Sequence, residues 1–448
     1  MIVGDVGLNL QRHLFYEKEL DVLISTSYGP GRYDPSYEEE GQDYPFAYVR
    51  WTEKRNMEEY LRLIADKKVL IKNLNPQIYK LDQAKEAYAA LAKPGPKPLL
   101  VLLSYPTDKN WEVKKTIQLG TPLTVRKDKI GVAMVGAGAF ASGVHLPNFA
   151  RLKNTYELRT ICARTGVSCL ATAKRFGISK ATTDFDQVLA DPTVDLVVIC
   201  TRHNLHGSMT LRALQAGKHV LCEKPLALLE EEIDSIKRFY QSSKHPKPGF
   251  MIGFNRRWSP AIGRLKKVIF GRTTPLVAHY TMNAGYIPLD HWVHGPEGGG
   301  RNVGEACHIY DLFHALTNSR CASLEIFGIS RQGQVYATND NFAAILKFED
   351  GSVCSLLYMA LGSKNYPKER LEVFVEGKIA VLDDYKRLDI LGSPLADWRS
   401  VTQEKGQLEE IIALHKMIKN GFSEEFIEEQ LQISSIVLQA EKKLMTRE

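Results

Sequence analysis

Residues Lys129-Ile-Gly-Val-Ala-Met-Val-Gly-Ala-Gly-Ala-Phe-Ala141 decide the fold: an apolar run passes directly into a Gly136-x-Gly138-x-x-Ala141 turn. Such a run reads as a parallel strand buried on both faces, and the turn as the start of a helix. Gly136 permits the tight bend, Gly138 lets backbone approach a pyrophosphate, and the small Ala141 lets the helix pack on its strand. Ala139 and Phe140 lie in the same turn, and the helix N-terminus faces the phosphates. Glycines also serve ordinary turns. The βα alternation that continues to residue 253 therefore carries the weight.

Working outward, strands are expected at residues 130–135, 156–162, 195–200, 219–222 and 249–253. Helical patterns lie between them, such as Ser208-Met-Thr-Leu-Arg-Ala-Leu-Gln-Ala216 closed by Gly217. This predicts an α/β Rossmann domain, a doubly wound parallel sheet, over residues 129–254. Beyond it, segments 276–282, 324–329, 342–348, 352–358, 371–375 and 379–382 follow one another, with Glu349-Asp-Gly351 and Glu376-Gly377 as hairpin connections. Strands without crossover helices predict an α+β domain with a large, mainly antiparallel open sheet over residues 255–448. Its tail, 408–444, is helical and broken near Gly421. Residues 107–128 are polar and read as a linker. In residues 1–106, stretches 1–4 and 19–25 look like strand fragments, and 81–91 reads as a helix stopped by Lys93-Pro-Gly-Pro96. Residues 56–64 form an amphipathic helix with Met57, Tyr60, Leu61 and Ile64 on one face.

A chain of 448 residues is too long for one core, and roughly 150 residues per domain implies about three. Apolar content of 44% and charged content of 25% are those of a soluble globular protein. The surplus of +6 is scattered over helix faces and speaks against nucleic-acid or membrane partners. No apolar run nears the ~18 residues of a membrane span, and the N-terminus lacks the basic region, apolar core and small-residue cleavage site of a signal peptide. Seven cysteines without C-x-x-C spacing fit a reduced cytoplasmic protein without a metal site.

The second motif is His219-Val-Leu-Cys-Glu-Lys-Pro-Leu226. It places Lys224 at the carboxyl end of a buried strand, on the rim where open α/β sheets bind ligands. Burial and a nearby nicotinamide cation would lower its pKa, so that it could exchange a hydroxyl proton. An isolated lysine there would simply reach solvent. The third motif is Gly298-Gly-Gly-Arg-Asn-Val-Gly-Glu-Ala-Cys-His-Ile-Tyr-Asp311, in which His308 and Asp311 stand at i and i+3. That spacing lets the carboxylate orient the imidazole. The bland alternative is a satisfied buried histidine.

With Glu223 and Pro225 flanking Lys224, these motifs and Thr201-Arg-His-Asn-Leu-His206 together resemble the glucose–fructose oxidoreductase/inositol dehydrogenase (Gfo/Idh/MocA) family, from about residue 129 to the C-terminus. The resemblance implies a Rossmann domain followed by an open-sheet domain, hydride transfer with NAD or NADP, and polyhydroxylated substrates. It also implies that Lys224 lies near nicotinamide and substrate, before a peptide bond that is often cis. The family's aspartate four residues before the histidine is absent: Gly304 stands there, and Glu305 is weighed evenly between replacing it and a structural role. In the 201–206 stretch Thr201 and His206 match the pattern, whereas Arg202 and His203 replace its proline and asparagine. Asn255-Arg-Arg257 resembles a run lining the substrate cleft, and a salt-bridged pair explains Arg256 and Arg257 equally well. Asn283, Tyr286, His291 and Trp292 form a polar-aromatic strip that suits a sugar or an ordinary loop.

Cofactor choice follows from Ile161-Cys-Ala-Arg-Thr-Gly166, where no acid follows the second strand to hold a ribose 2′-hydroxyl. Arg164 and Thr165 could instead hold a 2′-phosphate, favouring NADP with NAD possible. Residues 1–106 resemble the C-terminal part of a zinc-type alcohol dehydrogenase, with Leu81-Asp-Gln-Ala-Lys-Glu-Ala-Tyr88 matching its near-terminal helix. They lack that family's zinc ligands and first glycine loop, so neither zinc nor nucleotide is expected there. The expected activity is an NAD(P)-dependent dehydrogenase or reductase acting on a sugar, sugar nucleotide or cyclitol. Lys224 would exchange the proton with His308 assisting, in a homo-oligomer (dimer or tetramer). The competing class is a non-catalytic cofactor-binding sensor or assembly protein on the same fold.

Overall fold

The computed structural model describes residues 7–25, 28–106, 114–120, 128–242, 247–329 and 335–446. The strand fragment read at residues 1–4 lies outside these, as does most of the 107–128 stretch. The chain divides into two compact units, one ending and the other beginning near residue 112.

In the first unit, strands β1 (Gln77–Lys80) and β2 (Val101–Ser104) pair in parallel. The helix Ala84–Ala92 connects them, after a 3-10 turn, Leu81–Gln83. Helix Glu53–Ala65 covers the expected 56–64 segment, and its apolar face, Met57, Tyr60 and Leu61, is exposed. Residues 19–25 form no strand, only an isolated bridge at Ile24. Apolar content alone does not make a strand, which also needs a ladder to take its backbone groups.

The second unit holds two sheets. The first contains β3 (Thr116–Gln118), β4 (Ile130–Val135), β5 (Tyr156–Cys162), β6 (Lys180–Thr182), β7 (Leu196–Ile199), β8 (His219–Cys222) and β9 (Phe250–Ile252). Their order is β3-β6-β5-β4-β7-β8-β9, and every pair is parallel except β3 with β6. The order reverses at β4, which sits between β5 and β7. That crevice is where such sheets take their ligands. Alternation along β4 sends Val132 and Met134 into one core and Ala133 and Val135 into the other. An unbroken apolar run is what covering on both faces requires. The linker reading of 107–128 needs correction at Thr116–Gln118, which adds an edge strand to this sheet. Its pairing is helped by a 2.7 Å contact between the Thr116 and Thr182 hydroxyls. Three polar-flanked residues are too few for a periodic signal.

The second sheet contains β10 (Val277–Asn283), β11 (Cys321–Gly328), β12 (Asn341–Phe348), β13 (Val353–Met359), β14 (Glu369–Val375), β15 (Lys378–Asp383), β16 (Arg387–Leu391) and β17 (Trp398–Arg399). Their order is β11-β12-β13-β10-β14-β15-β16-β17. Only β10 with β13 runs parallel. Along β12, Phe342, Ala344, Leu346 and Phe348 are buried, whereas Ala343, Ile345 and Lys347 are exposed. One face therefore packs on helices. The core of that face is continuous with the Ala133/Val135 side of the first sheet. The tail helices Gln407–Asn420 and Glu424–Thr446 are separated at Gly421, whose φ is +88°. The first of them returns to the other core through Ile411 and Leu414, and the Tyr156 hydroxyl donates to the Ile411 carbonyl at 2.8 Å. Among the described residues no helix is long and apolar enough to cross a membrane.

Candidate active site

The glycine turn at the end of β4 has the geometry its residues require. Gly136 has φ +106°, and a Cβ there would lie 2.3 Å from the Cys200 carbonyl oxygen, so no other residue fits. A Cβ on Gly138 would meet nothing within 4 Å, which leaves open space over the turn. A π-helical turn, Ala141–His145, follows and leads into the helix Leu146–Arg151. Such bulges re-aim side chains and recur at functional sites. Here the bulge buries His145 with its Nε2 2.7 Å from Glu223 Oε1. Burial pushes the Glu223 carboxyl up, but the His145 contact and the Lys224 charge outweigh it and hold the group below its ordinary value.

Lys224 follows β8, and its peptide bond to Pro225 is cis. Its ammonium donates to the Gly304 carbonyl at 2.7 Å. It lines a cavity of ≈ 330 Å³ that also receives Phe140, His203, Arg256, Glu305 and His308. His206 lies behind this wall: Nδ1 meets the Pro225 carbonyl at 2.7 Å and Nε2 the Thr201 carbonyl at 3.3 Å. It positions both stretches rather than facing the cavity.

His308 stands on the helix Cys307–Thr317 after a second π turn, Asn302–Ala306. It is buried, and its pKa lies well below 6.5, first through burial and then through the charges of Arg256 and Lys224. The imidazole is therefore neutral. Among the described residues its buried Nδ1 has no partner, so the expected support from Asp311 is not present. Asp311 instead receives Arg257 Nε at 2.9 Å, because a guanidinium offers the carboxylate a full charge and a fork of donors. The same contact removes Arg257 from the cleft: it bridges Asp311 and Glu429, away from the cavity. Arg256 does line the cavity while its Nε and Nη2 grip Glu369 at 2.7 and 3.0 Å.

Glu305 also reaches the cavity wall. Its carboxylate accepts from Tyr358 at 2.6 Å, Arg301 at 2.8 Å and Lys368 at 2.7 Å. Burial raises its pKa, but Lys368 and Arg301 outweigh that and bring it to about 2. A carboxylate held ionised in this way cannot serve as an acid, so the catalytic expectation for Glu305 becomes one of positioning. Asn283 ends β10 with its amide donated to the Ser363 carbonyl at 2.7 Å, outside the cavity. His291 caps the short turn Trp292–His294 and lies outside as well, whereas Trp292 lines the cavity. Arg164 and Thr165 are exposed at the end of β5.

Other lining residues were not singled out from the sequence. His203 Nδ1 lies 2.7 Å from the Gly298 carbonyl. A carbonyl only accepts, so that nitrogen carries the proton and Nε2 is an acceptor. Burial, then the Lys224 charge, push its pKa to about 3. A Cβ on Gly304 would lie 3.0 Å from the His203 ring, so the histidine fills the space a side chain at 304 would take. Arg202 stacks on Trp292 at 3.9 Å. The departure of Arg202 and His203 from the family's pattern was the available signal. Arg301, also in the wall, stood unremarked inside the third motif, and Lys405 had no signal, because nothing in its local sequence marks it.

Histidines kept neutral in the fold but free to charge when unfolded make stability depend on pH. Their folded pKa is depressed, so the unfolded chain binds more protons in acid and stability falls as pH drops below about 6.5. For His203, with a folded value of about 3, the loss between pH 7 and 5 is about 2 kcal/mol. Urea denaturation at pH 7 and pH 5 should show it, and His203→Gln should lose correspondingly less. Equal losses in parent and variant would contradict the burial argument.

A model of the family described as "Oxidoreductase family, NAD-binding Rossmann fold" (GFO_IDH_MocA) matches residues 130–246. Levoglucosan dehydrogenase of Pseudarthrobacter phenanthrenivorans is 33% identical over 147 residues, 31% of this chain and 37% of that protein. Myo-inositol 2-dehydrogenase of Thermotoga maritima is 26% identical over 211 residues, 45% of this chain and 60% of its own length. The matched part thus spans between about a third and three fifths of these relatives. A solved structure of levoglucosan dehydrogenase in complex with NADH and levoglucosan superposes with a TM-score of 0.60 at 19% identity, covering 70% of this chain and 98% of that one. At that identity the likeness is one of fold: a Rossmann sheet joined to a large, mostly antiparallel sheet. The matched residues 130–246 include the glycine turn and the cis Lys224–Pro225 bond, and they form a Rossmann sheet similar to the NAD-binding fold that this family model describes.

Proposed function

We propose that this chain is an NAD(P)-dependent oxidoreductase that transfers a hydride to or from a sugar, sugar nucleotide or cyclitol. The observation that carries the reading is the convergence of the Lys224 ammonium and the neutral His308 in one cavity, which the Phe140 of the glycine turn also lines. The residues fit a dinucleotide, since the space over Gly138 is open and Gly136 holds the bend. Gly136, Gly138, Ala139, Phe140 and Ala141 would hold the pyrophosphate, and Thr201 and Glu223 the nicotinamide end, beside which Lys224 would stand. Bound, the nicotinamide supplies the hydride acceptor, or the donor in the reverse direction.

The protein's own groups handle the proton. Lys224, fixed against the Gly304 carbonyl, exchanges the proton of the reacting hydroxyl. His308 holds that oxygen by a hydrogen bond. Glu223 and Glu305 are positioning residues, the first tied to His145 and the second to three donors. Trp292 offers an apolar face to a sugar ring. The test is turnover on a panel of sugars, sugar acids, sugar nucleotides and cyclitols with each cofactor. Reduction of the cofactor by none of them would favour the sensor reading.

Within this function we assign a preference for NADP, supported by exposed Arg164 and Thr165 where an acid would select NAD. Arg164→Ala should erase an advantage of about 1–3 kcal/mol in the ratio of NADPH to NADH affinities. Tighter NADH binding by the parent would refute the assignment. The alcohol-dehydrogenase-like origin of residues 1–106 is likewise a proposal, supported by the parallel β1–helix–β2 arrangement.

A further inference from the structure

We propose that the substrate selected by this cavity carries an acid group, a carboxylate or a phosphate, on its polyhydroxylated body; this rests on the oxidoreductase reading above. The reason is a charge imbalance in the wall and directly behind it, where Lys368 and Glu369 pair with lining residues. Arg256 and Lys405 share one carboxylate, Glu369, whose Oε1 lies 3.0 Å from Arg256 Nη2 and 2.7 Å from Lys405 Nζ. Arg301 and Lys368 share another, Glu305. Lys224 donates only to a carbonyl, and the remaining carboxylate, Glu223, faces His145. Five cations therefore stand with three carboxylates, a surplus of two positive charges.

Most of the surplus is shielded from solvent. Arg256, Arg301 and Glu369 are buried, Lys405 keeps 18% of its side chain exposed, and Lys368, behind Glu305, is the most open of the paired cations at 40%. Its field is felt at His308, where Arg256, Lys224, Lys405 and Lys368 all add to burial in opposing the imidazolium. Four of the five cations come from residues 256–405, outside the nucleotide-binding sheet, so they do not belong to the pyrophosphate turn. An oxidised nicotinamide would add one more positive charge. A neutral sugar would leave all of this uncompensated in a half-enclosed space, whereas one acid group would meet donors already in place.

D-Glucose, D-glucuronate and D-glucose 6-phosphate share a ring and differ at C6, which makes them suitable probes. Their binding to the full chain is measured calorimetrically, with and without saturating NADPH. At least one acid should bind tenfold or more tightly than glucose, and which of the two does so identifies carboxylate or phosphate as the source. The advantage should shrink at high salt and in Lys405→Met, which leaves Glu369 paired with Arg256. Glucose binding as tightly as both acids, or an advantage that survives unchanged in Lys405→Met, would overturn the proposal. So would the absence of binding by either acid. Failure of NADPH and NADH to bind would instead overturn the oxidoreductase reading, and the comparison on the cofactor-free chain would still judge the charge argument.

Discussion

Lys224→Met is expected to lower turnover by about 10²–10⁴-fold, the usual contribution of a placed acid or base, while cofactor affinity changes little. Methionine keeps the length and apolar stem of lysine but has no proton to exchange and no donor for the Gly304 carbonyl. The side chain lies beyond the end of β8 and outside the cores of either sheet, so the fold should survive. Steady-state kinetics on any substrate that turns over would settle the matter. The defect should fall on kcat, with KM for the cofactor near its parent value. Unchanged kcat would reduce Lys224 to a strand-end residue. His308→Asn should give a smaller defect in the same direction.

Glu369→Ala is expected to cost about 3–5 kcal/mol of stability, the range for removing one partner of a buried ion pair. Glu369 is 1% exposed. It accepts from Arg256 twice, from Lys405 and from the Tyr280 hydroxyl. Burial alone would push its carboxyl up, but Arg256 and Lys405 hold it well below the ordinary range. The alanine variant would leave a buried guanidinium and ammonium with no counter-charge. Chemical denaturation reads the effect as a lower midpoint at constant slope. A loss below about 1 kcal/mol would mean that these cations reach water or other partners.

The fold was legible where periodicity was strong. β4, β5 and β8 fall on the residues that their apolar runs mark, and the antiparallel succession after residue 276 is present, because a buried strand must be apolar along its length or on one face. Short edge elements were not legible. β3 is held on β6 by residues distant in sequence, while β6, β16 and β17, like it, have only two to five residues and carry no period. At the site, Lys224 and His308, read from motifs beside strand and helix boundaries, both line the cavity. Arg257 was read into the cleft from the resemblance, and Asn283 and His291 from their chemistry; Arg257 and Asn283 found partners distant in sequence, and His291 caps its own turn. Asp311 went to Arg257 rather than to His308, a choice between two partners that helical spacing cannot make. Lys405, remote in sequence from every motif, enters only through the fold.

The most direct test of the oxidoreductase reading is a single-turnover experiment. NADP⁺ and NAD⁺ are bound in turn to the intact protein, the compound panel is added, and reduction of the nicotinamide is followed by its absorbance. The account predicts that one or more polyhydroxylated compounds reduce the bound cofactor, faster in the parent than in Lys224→Met. A protein that binds the dinucleotide and leaves it unreduced by every member of the panel, acids included, would contradict it.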